Sequence, residues 1–445
     1  MIMLRRIAMA IGLLLLLIPL TLRAESVSYT LEKAISRAKE KNKRLSGYEA
    51  DIKVAQEQAE SSYYRQFPSL KFSSYYRRTS ETEPFNIILD TPAGPVQKTL
   101  VPSIVNNYGM RLTLDQPLFT GFKLQNARKI AEIEVTANES AQATELVDVV
   151  YRVKLAFYNL RKLQETEKSL SQILGQLKEH RRIVENFLAQ GMAINSDLLK
   201  IDVRISEISI ALIDVQNGIR IAKQSLLLSI GDDLAQDVEI VWQESPTREL
   251  VAPTRAEVLA RARQKRPEFT TLQQRLAQTK LSEKIADAGY WPTLLLNANY
   301  DYARPNPKIF PATDEFNDSW DVSLLLAMTL WDWNQPKYDR EIARARARKI
   351  ENQLSQLNDG VAFEVEAARL SLEKTISKIT AVEVSVHQNE ENLREVSERF
   401  KNGLATSTDV LDAETDLLKA RIEQTQSVID GYLAQAALNK AIGEE

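Results

Sequence analysis

The chain has 445 residues, of which 44% are hydrophobic and 26% charged, with no cysteine and a formal charge of −3. The missing cysteine excludes disulfides, thiolate metal sites, cysteine nucleophiles and an acylated N-terminal Cys. The two histidines, His180 and His387, lie in polar helical segments and read as solvated surface residues. A mildly acidic chain with mixed-sign helices does not suggest nucleic-acid binding.

The first segment reads as a leader. Arg5 and Arg6 precede an apolar run from Ile7 to Leu20, and Ala24 offers a small residue for cleavage, the layout of a secretory signal peptide. Leu22 is an imperfect residue for that cut. A membrane anchor is the other reading, but the run is short for a span, and Gly12 and Pro19 interrupt it. Loss of Arg5, Arg6 and Arg23 takes the formal charge to −6. No later segment reads as long and apolar enough to span a membrane as a helix.

The pattern then predicts a helix from Thr30 to about Gln66, stopped by Pro68. An alternating strand follows over Ser69–Arg77 and a Pro-containing loop over 78–106. A second strand covers Tyr108–Leu118. A long helix from Lys123 to Leu188 is broken at Gly191, and a second runs from about Asp197 to Ser229. Residues 232–253 read as a mixed linker. The same order then recurs: helix 254–289, strand 293–302, loop 303–318, strand 319–330, helix 335–400, a break at Gly403, helix 408–441.

The recurrence is visible residue by residue. Thr30–Leu45 aligns with Thr254–Phe269 at an offset of 224. Beyond the Pro-rich loop the offset is 212, matching Phe119 with Trp331, Gly191 with Gly403, Asp197 with Asp409 and Gly231 with Gly443. The chain therefore divides into 1–24 (signal peptide), 25–231 (first repeat), 232–253 (linker) and 254–443 (second repeat). The two shorter helices of each copy together match one long helix in length, which suggests antiparallel rods. Val361, Val365, Ala368, Leu372, Thr375, Ile379, Val382, Val386, Asn389, Leu393, Val396 and Phe400 step by four and three, a coiled-coil seam.

In all four strands apolar residues alternate with mostly polar ones, and aromatic residues gather near the ends. About ten residues suit a tilted bilayer crossing. A half-buried sheet of a globular domain fits the same alternation. If the strands lie in lipid, four cannot close a barrel, because open edges leave backbone groups unpaired; several chains must then combine.

The pattern resembles the TolC-like outer-membrane efflux and export channels over essentially the whole chain after the leader. The signatures are Phe67-Pro68-Ser69-Leu70 and Trp291-Pro292-Thr293-Leu294 at the strand entries and Leu114-Asp115-Gln116-Pro117-Leu118-Phe119. The most specific run is Gly403-Leu404-Ala405-Thr406-Ser407-Thr408-Asp409-Val410-Leu411-Asp412, echoed by Gly191 to Leu199. The resemblance implies an α+β membrane protein: duplicated helix-strand-strand-helix-helix units forming a homotrimeric 12-stranded β-barrel in the cell outer membrane, continued by a long helical coiled-coil periplasmic tunnel, with 232–253 as an equatorial linker.

The implied function is a passive exit duct of a tripartite efflux pump or a type I secretion system, with no catalysis and no cofactor. The implied partners are a periplasmic adaptor (membrane fusion) protein and an inner-membrane RND, MFS or ABC transporter. Gly191, Gly403 and Leu404 would stand at adaptor-contacting hairpin tips, and Asp197, Asp409 and Asp412 at the periplasmic entrance. Helix capping is the other reading of these acids, since Thr406 lies three residues before Asp409. Ala405 stands where a tip arginine of the best-known member would be. Arg394 and Arg399 are the nearest basic residues and read as a solvated face. A trimeric coiled-coil surface stalk with a small anchor barrel is the functional alternative.

Overall fold

The computed structural model describes residues 27–191, 193–242 and 250–445; the leader lies outside the described residues. Two compact units emerge. One is helical, from 27–47, 143–266 and 360–445; the other, from 48–142 and 267–359, carries a sheet.

In the helical unit, β1 (Val27–Tyr29) pairs in parallel with β6 (Val238–Ile240), so the linker contributes a strand. Thr30 caps α1 (Leu31–Lys41) by accepting from Lys33 N at 3.3 Å. The helix expected to run from 30 to 66 breaks at Asn42, and α2 (Lys43–Tyr64) follows. The helix expected over 254–289 breaks at Arg266 between α5 (Arg255–Lys265) and α6 (Pro267–Asp287). Arg266 precedes a proline, whose ring pushes it out of the helical region; its ψ is 117°. Both break residues reach another helix end. Asn42 Nδ2 donates to Ser229 O at 2.9 Å, and an Arg266 guanidinium N–H to Ala441 O at 3.2 Å. They cover orphan carbonyls of α4 (Asn195–Ile230) and α8 (Ser407–Ile442), which helix ends otherwise leave unpaired.

The two long helices, α3 (Lys123–Ala189) and α7 (Gln335–Lys401), each have 67 residues; α4 and α8 each have 36. Within the helical unit Val149, Val153, Phe157 and Leu160 of α3 pack with Ala34, Ala38, Leu226, Leu227 and Ile230. Each large side chain so buried is worth about 1.5–3 kcal/mol. All twelve seam positions of α7 are buried or half-buried, while Phe363 between them is 78% exposed. Spacing therefore chose the packed face more strictly than hydrophobicity did.

In the other unit β2 (Ser69–Arg78), β5 (Asn106–Thr120), β7 (Thr293–Arg304) and β8 (Asn317–Ala327) form one antiparallel sheet in the order β2-β5-β7-β8. The expected loop over 78–106 instead holds a hairpin, β3 (Phe85–Thr91) with β4 (Gly94–Val101). Ile87, Ile88 and Leu89 favour strand, and the chain reverses through Pro92 and Gly94, whose φ is +108°. The strand-to-helix corners use paired left-handed residues, Gly121 with Phe122 and Trp333 with Asn334.

The register lines up residues of one character across the sheet. Leu70, Leu114, Ala298 and Val322 form one row, and Phe72, Leu112, Tyr300 and Trp320 another. This apolar face is open: Leu70, Phe72, Trp320, Val322, Leu324 and Leu326 are all exposed. The opposite face carries Lys71, Thr113, Asn299 and Asp321 in one row. Its side chains bond across strands: Lys71 Nζ to Asp115 Oδ2 at 3.1 Å, Asn297 Nδ2 to Asp115 Oδ1 at 2.7 Å, Thr113 Oγ1 to Asn299 Oδ1 at 2.9 Å. Leu295 and Leu325 interrupt the polar face as one cross-strand pair. Among the described residues no helix is long and apolar enough to cross a membrane.

Candidate channel entrance

The candidate residues gather at two helix-turn-helix tips of the helical unit. Gly191 and Gly403 both have φ of +73° and close the ends of α3 and α7. Their amides donate to Leu188 O and Phe400 O, each at 3.0 Å. Leu404 follows, 70% exposed, its own N–H bonded to Arg399 O at 2.8 Å.

Asp409 sits in the first turn of α8 and closes a capping box. Thr406 Oγ1 accepts from Asp409 N at 3.2 Å, while Asp409 Oδ2 accepts from Thr406 N at 2.7 Å and from its hydroxyl at 2.8 Å. These donors, the backbone N–H foremost, hold the Asp409 carboxyl below its usual range. Asp197 makes only the return arm in α4: its Oδ2 accepts from Ile194 N at 3.4 Å, and Ile194 has no side-chain acceptor to reciprocate. Asp412 is exposed and three residues from Asp409, so the two share a helix face. Asp416, also exposed, extends that stripe; its spacing of four from Asp412 was the signal for it in the sequence.

The two N-termini that carry Asp197 and Asp409 are tied together. Lys200 Nζ donates to Thr408 Oγ1 at 3.1 Å, and an Arg204 guanidinium N–H to Thr415 Oγ1 at 3.1 Å. Ile201 and Ile208 of α4 pack with Leu411 and Leu418 of α8 and with Leu170, Leu177 and Val184 of α3. The tips also meet through Phe187 and Phe400, with ring centroids 5.7 Å apart. Arg394 and Arg399 are exposed and paired along their own helix with Glu391 and Glu395.

His180 is not a surface residue. It is 6% exposed, its Nε2 lies 3.1 Å from Ser407 Oγ, and burial lowers its pKa. The polar residues around it in sequence sit on other faces of α3, so local composition concealed the burial. His387 is exposed. Nearby, Glu414 carries a buried Oε2 with no hydrogen-bond partner among the described residues. Burial pushes this carboxyl up to about 7.

Comparisons with known proteins place the chain in a family. The family model described as outer membrane efflux protein matches residues 34–232 and again 258–444. Outer membrane efflux protein BepC of Brucella suis is 23% identical over 427 residues, covering 94% of this chain and 86% of its own. The outer membrane protein VceC of Vibrio cholerae shares the fold with a TM-score of 0.76 at 19% identity, over 93% of this chain and 96% of that one. The open state of the Neisseria gonorrhoeae MtrE outer membrane channel gives 0.73 at 16%, over 93% and 89%. A surface stalk or adhesin finds no support among these relatives. The chain belongs to the outer membrane efflux protein family.

Proposed function

We propose that three copies of this chain join their four-stranded sheets edge to edge into a twelve-stranded barrel in the outer membrane, and that their helices continue it as a periplasmic tunnel. The duct is passive. It serves as the exit of a tripartite efflux pump or a type I secretion system, with a periplasmic adaptor protein and an RND, MFS or ABC transporter of the inner membrane supplying energy and cargo. In this reading 1–24 is removed, 25–231 and 254–443 are the two repeats, and 232–253 lies at the tunnel's equator. Gly191, Gly403 and Leu404 meet the adaptor, and Asp197, Asp409 and Asp412 line the entrance. The capping bonds of Asp409 do not oppose that role, because a carboxylate ring needs fixed carriers.

One observation carries the reading. The sheet has an exposed apolar face, a hydrogen-bonded polar face, and edges at β2 and β8 that pair on one side only among the described residues. Water penalises the first and lipid penalises open edges. Closure with other copies in a membrane relieves both, leaving the polar face to a wet lumen. Single-channel recording of the purified protein in planar bilayers, with its mass measured in detergent, tests this. A conducting trimer is expected; a water-soluble monomer stable without detergent would overturn it.

A further inference from the structure

A cavity of about 360 Å³ opens between α3, α7 and α8 near the tips, with Phe187, Phe400, Ile183 and Leu393 as apolar walls and His180 and Glu414 among its polar groups. Its charges are not equivalent. Glu179 at the rim is held by Arg182 at 2.6 Å, and Lys401 by Glu398 at 2.9 Å. Of the cavity's charged groups, only Glu414 presents a buried carboxylate oxygen that meets no donor among the described residues.

The other half of the chain shows what is missing. At the 212 offset Glu414 corresponds to Asp202, and Leu393 to Arg181. In the first half Arg181 Nε donates to Asp202 Oδ1 at 2.6 Å. In the second half the acid is kept, but its cation is replaced by leucine and a cavity stands beside it. A buried carboxylate without a counter-charge is costly. A guest that brings a positive charge removes that cost, and aromatic walls attract cations further. A metal ion fits poorly, because the described residues hold no cluster of three potential metal-ligating side chains.

We propose that this cavity is a binding site for small aromatic or amphipathic organic cations, with Glu414 as counter-ion and Phe187 and Phe400 as the apolar clamp. His180, kept neutral by burial, places no competing charge there above about pH 6.5. The site lies within one chain and stands whether or not the pore forms, so binding and conductance fail separately. Because the Glu414 carboxyl titrates near 7, the cation binds more tightly as pH rises through that value, displacing a proton.

The experiment is calorimetric titration of the purified full-length protein in a non-ionic detergent with 1-naphthylmethylammonium, and with neutral 1-naphthylmethanol as its isostere. At pH 8 the cation is expected to bind one site per chain, roughly tenfold or more tighter than the alcohol. Affinity should fall by about tenfold or more at pH 5.5, and in Glu414→Gln at pH 8. Ile183→Trp, which fills the cavity while leaving the acid in place, should abolish binding, and it decides the matter with the pH pair if Glu414→Gln does not fold. Equal affinity for cation and alcohol, unchanged affinity in Glu414→Gln or Ile183→Trp, or no binding to the wild type would each overturn the proposal.

Discussion

The glycines that end the helices differ in what surrounds them, and the difference predicts unequal costs for one substitution. Gly231 caps α4 at φ +89°. A Cβ there would lie 2.6 Å from Lys41 O and 2.9 Å from Lys41 C, backbone atoms that cannot rotate away. Gly403 has φ +73°, but its Cβ would meet nothing within 4 Å. Alanine in the left-handed region costs about 1–2 kcal/mol at either site. Gly231→Ala adds about 1–3 kcal/mol for the displaced backbone, near 2–5 kcal/mol in all. At 1.4 kcal/mol per tenfold, that speeds amide exchange in the last turn of α4 by roughly 30- to several-thousand-fold. Gly403→Ala should speed exchange at its tip by only about 5- to 30-fold. Hydrogen exchange read by mass spectrometry over 222–231 and 399–408 measures both. Equal acceleration at the two sites would refute the reasoning, because it would mean that the contact with α1 carries no load.

Three further outcomes are expected. Asp409→Ala together with Asp412→Ala should weaken block of the channel by divalent cations added from the periplasmic side in single-channel recordings; unchanged block counts against the carboxylate ring. Leu324→Arg, on the exposed apolar face of β8, should cost about 2–4 kcal/mol if that face meets the bilayer midplane, and reduce the assembled protein in outer-membrane fractions. Ser323→Arg, on the other face, should be tolerated, and equal losses would contradict the assigned parity. Two buried groups make the stability of the tip depend on pH in opposite directions. The pKa of His180 is lowered by burial, so its contribution is present above about pH 6.5 and is lost as pH falls through the folded value. That of Glu414 is raised to about 7, so its contribution is present below about pH 4.3 and lost as pH rises through 7. Glu414→Gln should therefore remove the loss that builds up to pH 7 in melting curves and leave the loss on acidification that His180 causes.

Much of the fold was written in periodicity. Period two placed β2, β5, β7 and β8, and the four-three stepping of Val361 to Phe400 placed the packed stripe of α7, because both patterns are set by backbone geometry. The misses have local causes. Pro267 signals the break at Arg266, but the helix-forming composition on either side of it masks that signal. The β3–β4 hairpin was hidden by Pro84, Pro92, Pro95 and Pro102, which argue for loop. Yet Pro95 sits in a hairpin that pairs with no other strand among the described residues, where a missing N–H costs little.

The entrance was legible only as far as local chemistry reached. Thr406 and Asp409 announce a capping box by their spacing alone, and the structure builds it. Whether the same carboxylate also meets two symmetry copies is a property of an assembly, which one chain's pattern cannot encode except through resemblance. The burial of His180 and Glu414 was hidden for a different reason. Each lies in a polar stretch of its own helix, and what buries them is the approach of α3, α7 and α8 across more than 200 positions of sequence. The repeat held the missing signal. At the 212 offset Arg181 and Asp202 stand against Leu393 and Glu414, an acid whose partner is gone. In a duplicated pattern the retained residues report the shared fold. The compensating pair that survives in one half and is broken in the other marks where that half has been released from structural duty.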